Sequence, residues 1–252
     1  MLGDYTAPQE EENVKTVLDG IRTKLTSSQV EYVKGCSIRD TVASDIEQAV
    51  AAARRSEVII AVVGGSSARD FKTSYKETGA AIADEKTISD MECGEGFDRA
   101  TLSLLGRQQE LLEALKQTGK PLIVVYIEGR PLEKNWASEY ADALLTAYYP
   151  GQEGGNAIAD VLFGDYNPAG RLPISVPRSV GQIPVYYNKK APLNHDYVEM
   201  SASPIYTFGY GMSYTTFEYS DLQIVQKGPY CFEVSFNVKN TGKYDGEEVA
   251  QL

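Results

Sequence analysis

Short apolar runs alternate with amphipathic stretches along the first two thirds of the chain. Three continuous apolar runs predict strands that are buried on both faces, at 57–63, 122–127 and 143–148. Apolar residues at helical spacing predict helices at 12–25, 107–118 and 153–163. The alternation of helices with short buried strands predicts an α/β domain with a mostly parallel sheet.

Three further elements are predicted by local signals. The stretch from Ser44 to Glu47 reads as a capping box that begins a helix ending near Arg55. Alternating residues at 29–33 predict a strand. Pro131 is in a position to open a helix that contains Trp136, whose ring we expect to pack rather than to stack on a sugar.

About forty residues between Gly64 and Leu105 have little periodicity. A long insertion inside a compact domain is usually functional, and parallel sheets bind ligands beyond the carboxyl ends of their strands. This insertion leaves the carboxyl end of the strand that ends at Val63, and it contains Glu95 between two glycines. Glycine neighbours let a substrate approach that carboxylate closely, although the same pattern fits an ordinary turn with a solvated Glu.

The last third of the chain has a different pattern. Residues 177–214 are rich in Pro, Gly, Ser and Tyr and predict an extended linker over the surface, in which His195 is exposed. Strands are predicted at 222–225, 230–238 and 248–252. Three strands are fewer than a β-sandwich needs, so we expect a cut domain whose unpaired edges near 248–252 cause dimerisation.

Composition excludes several classes of function. The 252 residues are 42% hydrophobic and 23% charged, and the net charge of −11 argues against nucleic acid or an anionic membrane as a partner. No apolar run approaches the ~20 residues that span a bilayer, and residues 1–12 lack the pattern of a signal peptide. Cys36, Cys93 and Cys231 form no disulfide or metal pattern, and the single His195 argues against Ser-His catalysis. No metal or other cofactor is expected.

Several motifs together resemble family 3 glycoside hydrolases, in the β-xylosidase and β-glucosidase branch. The motifs are Leu2-Gly3-Asp4-Tyr5, Gly64-Gly65-Ser66-Ser67-Ala68-Arg69-Asp70-Phe71, Gly94-Glu95-Gly96-Phe97-Asp98-Arg99, Gly129-Arg130-Pro131-Leu132, Tyr149-Pro150-Gly151-Gln152-Glu153-Gly154-Gly155-Asn156, Asn167-Pro168-Ala169-Gly170-Arg171-Leu172-Pro173 and Phe208-Gly209-Tyr210-Gly211-Met212-Ser213-Tyr214. Each motif is weak alone, and their order and density across nearly the whole chain carry the resemblance.

The resemblance implies a chain of three parts: an N-terminal (β/α)8 barrel with the Asp nucleophile, an α/β sandwich domain and a fibronectin-III-like β-sandwich. This sequence resembles only the second part, at 1–176, followed by the linker at 177–215 and a partial third part at 216–252. We therefore expect the barrel, and a first strand upstream of Met1, to be absent. The resemblance further suggests a secreted or periplasmic parent enzyme acting on an oligosaccharide or aryl β-glycoside.

Residue roles also follow from the resemblance. Glu95 is implied as the general acid/base of a retaining glycosidase, and the chain alone is expected to be inactive. Arg69 and Asp70 are candidates for the rim of the substrate pocket or for anchoring the loop. Asp98 is a weaker substrate-binding candidate, which we expect to tie the loop down with Arg99 in a local ion pair. Glu92 lacks the double-glycine setting and is expected on a solvated face.

Two other functions remain open from the sequence. The acidic, glycine-rich loop also suits a non-catalytic module that binds a carbohydrate or a protein. A nucleotide-binding α/β domain fits the sheet pattern, but Gly94-Glu95-Gly96 continues to Arg99 where a dinucleotide fingerprint needs glycine.

Overall fold

A computed structural model of the chain describes residues 1–3, 5–7, 9–25, 30–68, 74–78, 81–82, 90–94, 98–189 and 195–252. The helices of these ranges are α1 (Val17–Lys24), α2 (Ile46–Arg55), α3 (Gln108–Lys116), α4 (Asn135–Tyr140) and α5 (Gly154–Phe163), with short 3-10 helices at Glu11–Asn13 and Val180–Gln182. The strands are β1 (Ile59–Gly64), β2 (Ser74–Tyr75), β3 (Ala81–Ile82), β4 (Leu122–Ile127), β5 (Ala143–Thr146), β6 (Phe217–Gly228) and β7 (Cys231–Asn240).

The centre of the fold is a parallel sheet in the order β1-β4-β5. The middle strand β4 is buried on both faces, which explains its continuous apolar sequence. Its side chains alternate between two clusters, because successive residues of a strand point to opposite faces. Leu122, Val124 and Tyr126 belong to one cluster, and Val125 and Ile127 belong to the other.

Helices cover both faces of this sheet. The apolar sides of α2 and α3 pack on the first face, where Leu112 is fully buried. On the second face α1 and α5 lie together and contribute Val17, Ile21 and Ile158. The predicted α/β domain with a mostly parallel sheet is therefore confirmed, with helices in layers on either side of three strands.

Several local predictions were wrong in detail. Residues 30–33 form no strand, and Gln29 lies outside the described residues. Ser44 does not cap α2, because its hydroxyl accepts a hydrogen bond from Arg107 at 2.6 Å and Asp45 takes the N-cap position without a side-chain bond. A capping box that the sequence reading missed begins α1, where Thr16 and Asp19 exchange backbone and side-chain hydrogen bonds of 2.9 and 3.2 Å.

Two other predictions need correction. The helix that contains Trp136 begins at Asn135 and is not opened by Pro131. The ring of Trp136 packs against the first core cluster, as expected. The long insertion after β1 is not wholly irregular, since β2 and β3 pair there as a small antiparallel ribbon.

The C-terminal region contains one antiparallel hairpin of β6 and β7. The strand predicted at 248–252 is absent: residues 241–252 have no strand, and Glu248 is bound to Arg171 at 2.6 Å. In the region predicted as a linker, the backbone of Tyr206 forms an isolated antiparallel bridge with Val176, which directly precedes that region. The domain limits 1–176, 177–215 and 216–252, and the fibronectin-III-like character of the last, remain predictions.

Candidate active site

The carboxyl ends of β1 and β4 are fixed to each other just before the long insertion begins. The backbone N–H of Gly65 donates to the carbonyl of Ile127 at 2.9 Å. The buried amide of Gln108 accepts from the N–H of Gly64 at 2.8 Å and donates to its carbonyl at 2.9 Å. These bonds satisfy the backbone where β1 ends, so the insertion leaves from a fixed point.

The chain returns to this edge at residues 90–94. The N–H of Glu92 donates to the carbonyl of Ser66 at 2.8 Å, beside the end of β1. Arg39 donates to the carbonyl of Met91 at 2.8 Å, and Asp90 accepts from the N–H of Ile38 at 2.9 Å. Met91 and Cys93 are buried. The residues that precede Gly94 are therefore held by backbone bonds and apolar burial.

Glu92 and Arg99 form a buried ion pair across residues 93–98. Their side chains are 1% and 4% exposed, and Arg99 also donates to the carbonyl of Ser103. Burial raises the pKa of Glu92, and the positive charge of Arg99 opposes that rise. The expectation that Glu92 lies on a solvated face was wrong, because neighbouring buried residues carry it inward and Arg99 supplies its counter-charge.

Asp98 pairs with Arg130 in the loop that follows β4. Its Oδ1 accepts from the N–H of Arg99 at 2.7 Å and from Nη1 of Arg130 at 2.6 Å. The N–H of Arg99, followed by the charge of Arg130, lowers the pKa of Asp98. The predicted ion pair between Asp98 and Arg99 was wrong, because the guanidinium of Arg99 bonds Glu92 and the carboxylate of Asp98 bonds Arg130. The carboxylate of Asp98 remains 65% exposed and open to a further partner.

A second buried ion pair closes the loop after β4. Lys134 donates to both carboxylate oxygens of Glu128 at 2.6 and 2.8 Å, and both side chains are 1% exposed. The same carboxylate accepts the N–H of Leu132 at 3.1 Å. Burial raises the pKa of Glu128 and lowers the pKa of Lys134. The pair fixes the turn that carries Arg130 towards Asp98.

Of the predicted site residues, the structure describes only Asp98. Glu95, Arg69 and Asp70 lie outside the described residues, and Asp98 lies at the sheet edge. His195 is exposed in the region predicted as a linker.

Sequence reasoning missed the contributions of Gln108, Arg130 and the pair formed by Glu128 and Lys134. Arg130 and Glu128 could have been found from their position directly after a buried strand, at the carboxyl end where parallel sheets bind ligands.

The sequence matches the family described as the glycosyl hydrolase family 3 C-terminal domain over residues 1–214. The chain belongs to this family. The α/β sheet with helices on both faces is the fold expected from that membership.

The relatives of this chain include proteins named β-xylosidase and β-glucosidase. A β-xylosidase of Formosa agariphila is 39% identical over 94% of this chain and 31% of its own length. A periplasmic β-glucosidase of Salmonella typhimurium is 36% identical over the whole chain and 34% of its own length. The solved structure of a β-glucosidase from Erythrobacter marinus superimposes with a TM-score of 0.76 at 34% identity, over 96% of this chain and 33% of that chain. The chain thus spans about a third of the length of the relatives it matches.

Two features are absent from the described ranges. None of their helices is long and apolar enough to cross a bilayer. Among the same residues, no group of three or more His, Cys, Asp or Glu side chains is arranged to hold a metal ion.

Proposed function

We propose that this chain is the part of a retaining β-glycosidase that supplies Glu95 as the general acid/base. The nucleophile would come from an N-terminal (β/α)8 barrel, and the substrate would be a terminal β-linked xyloside or glucoside. Family membership and the β-xylosidase and β-glucosidase names of the relatives support this reaction class. The periplasmic relative supports a periplasmic or secreted location for the parent enzyme.

The single observation that carries the proposal is the anchoring on both sides of Glu95. Before it, Glu92 and Cys93 are buried at the carboxyl edge of the sheet. After it, Asp98 and Arg99 are bound to Arg130 and Glu92. A proton donor must be held near its substrate oxygen to be effective, and the anchoring of the residues on either side of Glu95 supports that role for it.

The proposed chemistry requires two carboxyl groups about 5–5.5 Å apart. Glu95 would first protonate the oxygen of the leaving group while the barrel carboxylate attacks the sugar. It would then take a proton from the water that releases the sugar from the covalent intermediate. Glu92 cannot take this role in the observed arrangement, because its side chain is buried and occupied by Arg99.

A chimera tests the assignment. The matching third of the Formosa agariphila β-xylosidase is replaced by this chain, and aryl β-xylosides and β-glucosides with leaving groups of different acidity are assayed. Glu95→Gln should lower kcat/KM for poor leaving groups by about 10²–10⁴-fold, and far less for a dinitrophenyl leaving group that needs no protonation. Added azide should restore turnover of the dinitrophenyl substrate and give a glycosyl azide, because azide attacks without a general base.

Glu57→Gln is the matched control, since Glu57 is exposed at the opposite, amino edge of β1. It should leave all rates unchanged. If Glu95→Gln behaves like Glu57→Gln, Glu95 is not the acid/base. The alternative of a non-catalytic carbohydrate-binding module is tested on the chain alone, by calorimetry with xylose and glucose. Tight binding together with an inert Glu95→Gln chimera would favour that module, whereas we expect neither binding nor turnover from the isolated chain.

A further inference from the structure

We propose that the buried ion pair of Glu92 and Arg99 is a positioning element, which ties the two described ends of the segment 93–98, on either side of the proposed acid/base Glu95, to the edge of the sheet. This inference rests on the proposed role of Glu95. The two residues bracket the segment, and each is held from outside it. The backbone of Glu92 is bound to Ser66, and the guanidinium of Arg99 reaches the carbonyl of Ser103 as well as the carboxylate.

The position of Glu92 is set by the end of β1 through Gly65. A β-carbon on Gly65 would lie 1.9 Å from Oε1 of Glu92 and 2.3 Å from its carboxyl carbon. The carboxylate therefore lies directly against the backbone of the strand end, where any other residue would displace it. Since Gly65 is itself bonded to Ile127 of β4, the carboxylate that binds Arg99 lies against backbone that is fixed to the sheet.

The chemistry of Arg99 suits this task. Nη1 of the guanidinium donates to the carboxylate of Glu92 and Nη2 donates to the carbonyl of Ser103, so the orientation of the side chain is fixed by two bonds. A lysine carries the same charge on a single nitrogen without the planar fork, and it cannot hold both directions in the same geometry.

The pair is poorly suited to a role in stability alone. Within the described ranges, Oε1 of Glu92 and Nε of Arg99 have no hydrogen-bond partner. A buried ion pair recovers only part of the cost of removing its charges from water. The pair instead fixes the relative orientation of its two side chains, because a charge-assisted bond constrains them more strictly than apolar contact does.

Three variants test the proposal from different sides: Glu92→Gln removes the charge, Arg99→Lys removes the fork, and Gly65→Ala displaces the carboxylate. Hydrogen exchange of residues 93–98 is measured in the full chain, and kinetics are measured in the chimera. We expect faster exchange in this segment. We also expect kcat for poor leaving groups to fall by about 10–100-fold with KM changed by less than about threefold, as for a misplaced catalytic group.

Two controls separate positioning from loss of stability. Leu112→Ala makes a cavity under α3, away from the segment, and should lower the melting temperature without changing the leaving-group dependence. Gly170→Ala adds a β-carbon into open space and should change nothing.

The outcomes are distinguishable. A loss of kcat that grows with the basicity of the leaving group, together with faster exchange at 93–98, supports the proposal. If the three variants lower only the melting temperature, as Leu112→Ala does, while Glu95→Gln still abolishes acid catalysis, the positioning role is overturned and the proposed function stands. If Glu95→Gln has no effect, the proposed function fails, and unchanged exchange in the three variants would then remove the anchoring role as well.

Discussion

Gly20 on α1 and Gly155 on α5 bring two helix backbones into direct contact. A β-carbon on Gly20 would lie 2.2 Å from the carbonyl oxygen of Gly155, and one on Gly155 would lie 2.0 Å from the carbonyl oxygen of Thr16. The N–H of Gly155 donates to the carbonyl of Lys15 at 3.1 Å. This approach allows both helices to pack side by side on the second face of the sheet.

Replacing Gly155 by alanine should therefore destabilise the domain. The new methyl group would push α1 away from α5 and break the bond to Lys15, and overpacking of this kind costs about 1–3 kcal/mol. Urea denaturation of Gly155→Ala would measure the loss in the free energy of unfolding. Gly170→Ala, which adds the same methyl group in open space, should change that free energy by no more than about 0.5 kcal/mol. Equal stability of the two variants would contradict close contact between the helices.

The parts of the fold that depend on continuous apolar sequence could be predicted. The strand at 122–127 was predicted to the residue, and those at 57–63 and 143–148 to within two residues at each end. Burial on both faces explains the apolar sequence of β4. The predicted burial of the other two strands was wrong, because Val62 of β1 is exposed and no residue of β5 is fully buried. The strand predicted at 29–33 failed because alternation over five residues does not specify a partner, and within the described ranges residues 30–33 pair with no strand.

The place of the site stays a prediction, which rests on the carboxyl ends of the strands and on the glycines around Glu95. The contacts within it could not be predicted. The partners did not follow from the sequence, because which charged residues meet depends on how the loops fold, even for Glu92 and Arg99, which are seven positions apart. Glu92 illustrates this limit of the sequence. Its neighbours do not show that Arg99 folds back onto it, so a solvated carboxylate was predicted where the structure has a buried one.

The pair of Glu128 and Lys134 should be sensitive to the loss of one member. Lys134→Met leaves a buried carboxylate without its counter-charge, which typically costs about 3–5 kcal/mol. The free energy of unfolding at neutral pH would measure this. The double variant Glu128→Gln and Lys134→Met should recover much of the loss, because no uncompensated charge remains. A double variant less stable than Lys134→Met would show that the charge on Glu128 is not the cause.

Asp142 should make the stability of the sheet depend on pH in the acid range. Its Oδ2 accepts the N–H of Leu122 at 2.8 Å and Nζ of Lys116 at 2.9 Å, and these partners, the N–H first, lower the pKa of Asp142. Because the folded pKa lies below the unfolded value of about 3.9, the stabilisation is complete above that pH and is lost as the pH falls through the folded pKa.

Urea titrations from pH 7 to pH 3 on the native chain and Asp142→Asn would measure this dependence. The difference in unfolding free energy should be constant above about pH 5 and should shrink as the pH falls below about 4. Lys116→Met should retain most of the effect, since the backbone N–H is the larger cause. A difference that grows on acidification would have the wrong sign for a lowered pKa.

The hairpin of β6 and β7 should cause self-association of the chain. Ile224 pairs with Val234, and Phe232 lies on the same face of the ribbon; Ile224 and Phe232 are 63% and 57% exposed. Exposed apolar faces of this kind favour association, so the dimerisation expected from the strand edge at 248–252 is now expected from this face.

Light scattering over a range of concentrations should detect oligomers of the native chain, and the paired substitution of Ile224→Lys and Phe232→Lys should give a monomer. Gln223→Lys with Ser235→Lys, which places the same charges on the opposite face of the same ribbon, should leave association unchanged. A native chain that remains monomeric at high concentration would contradict association through this face.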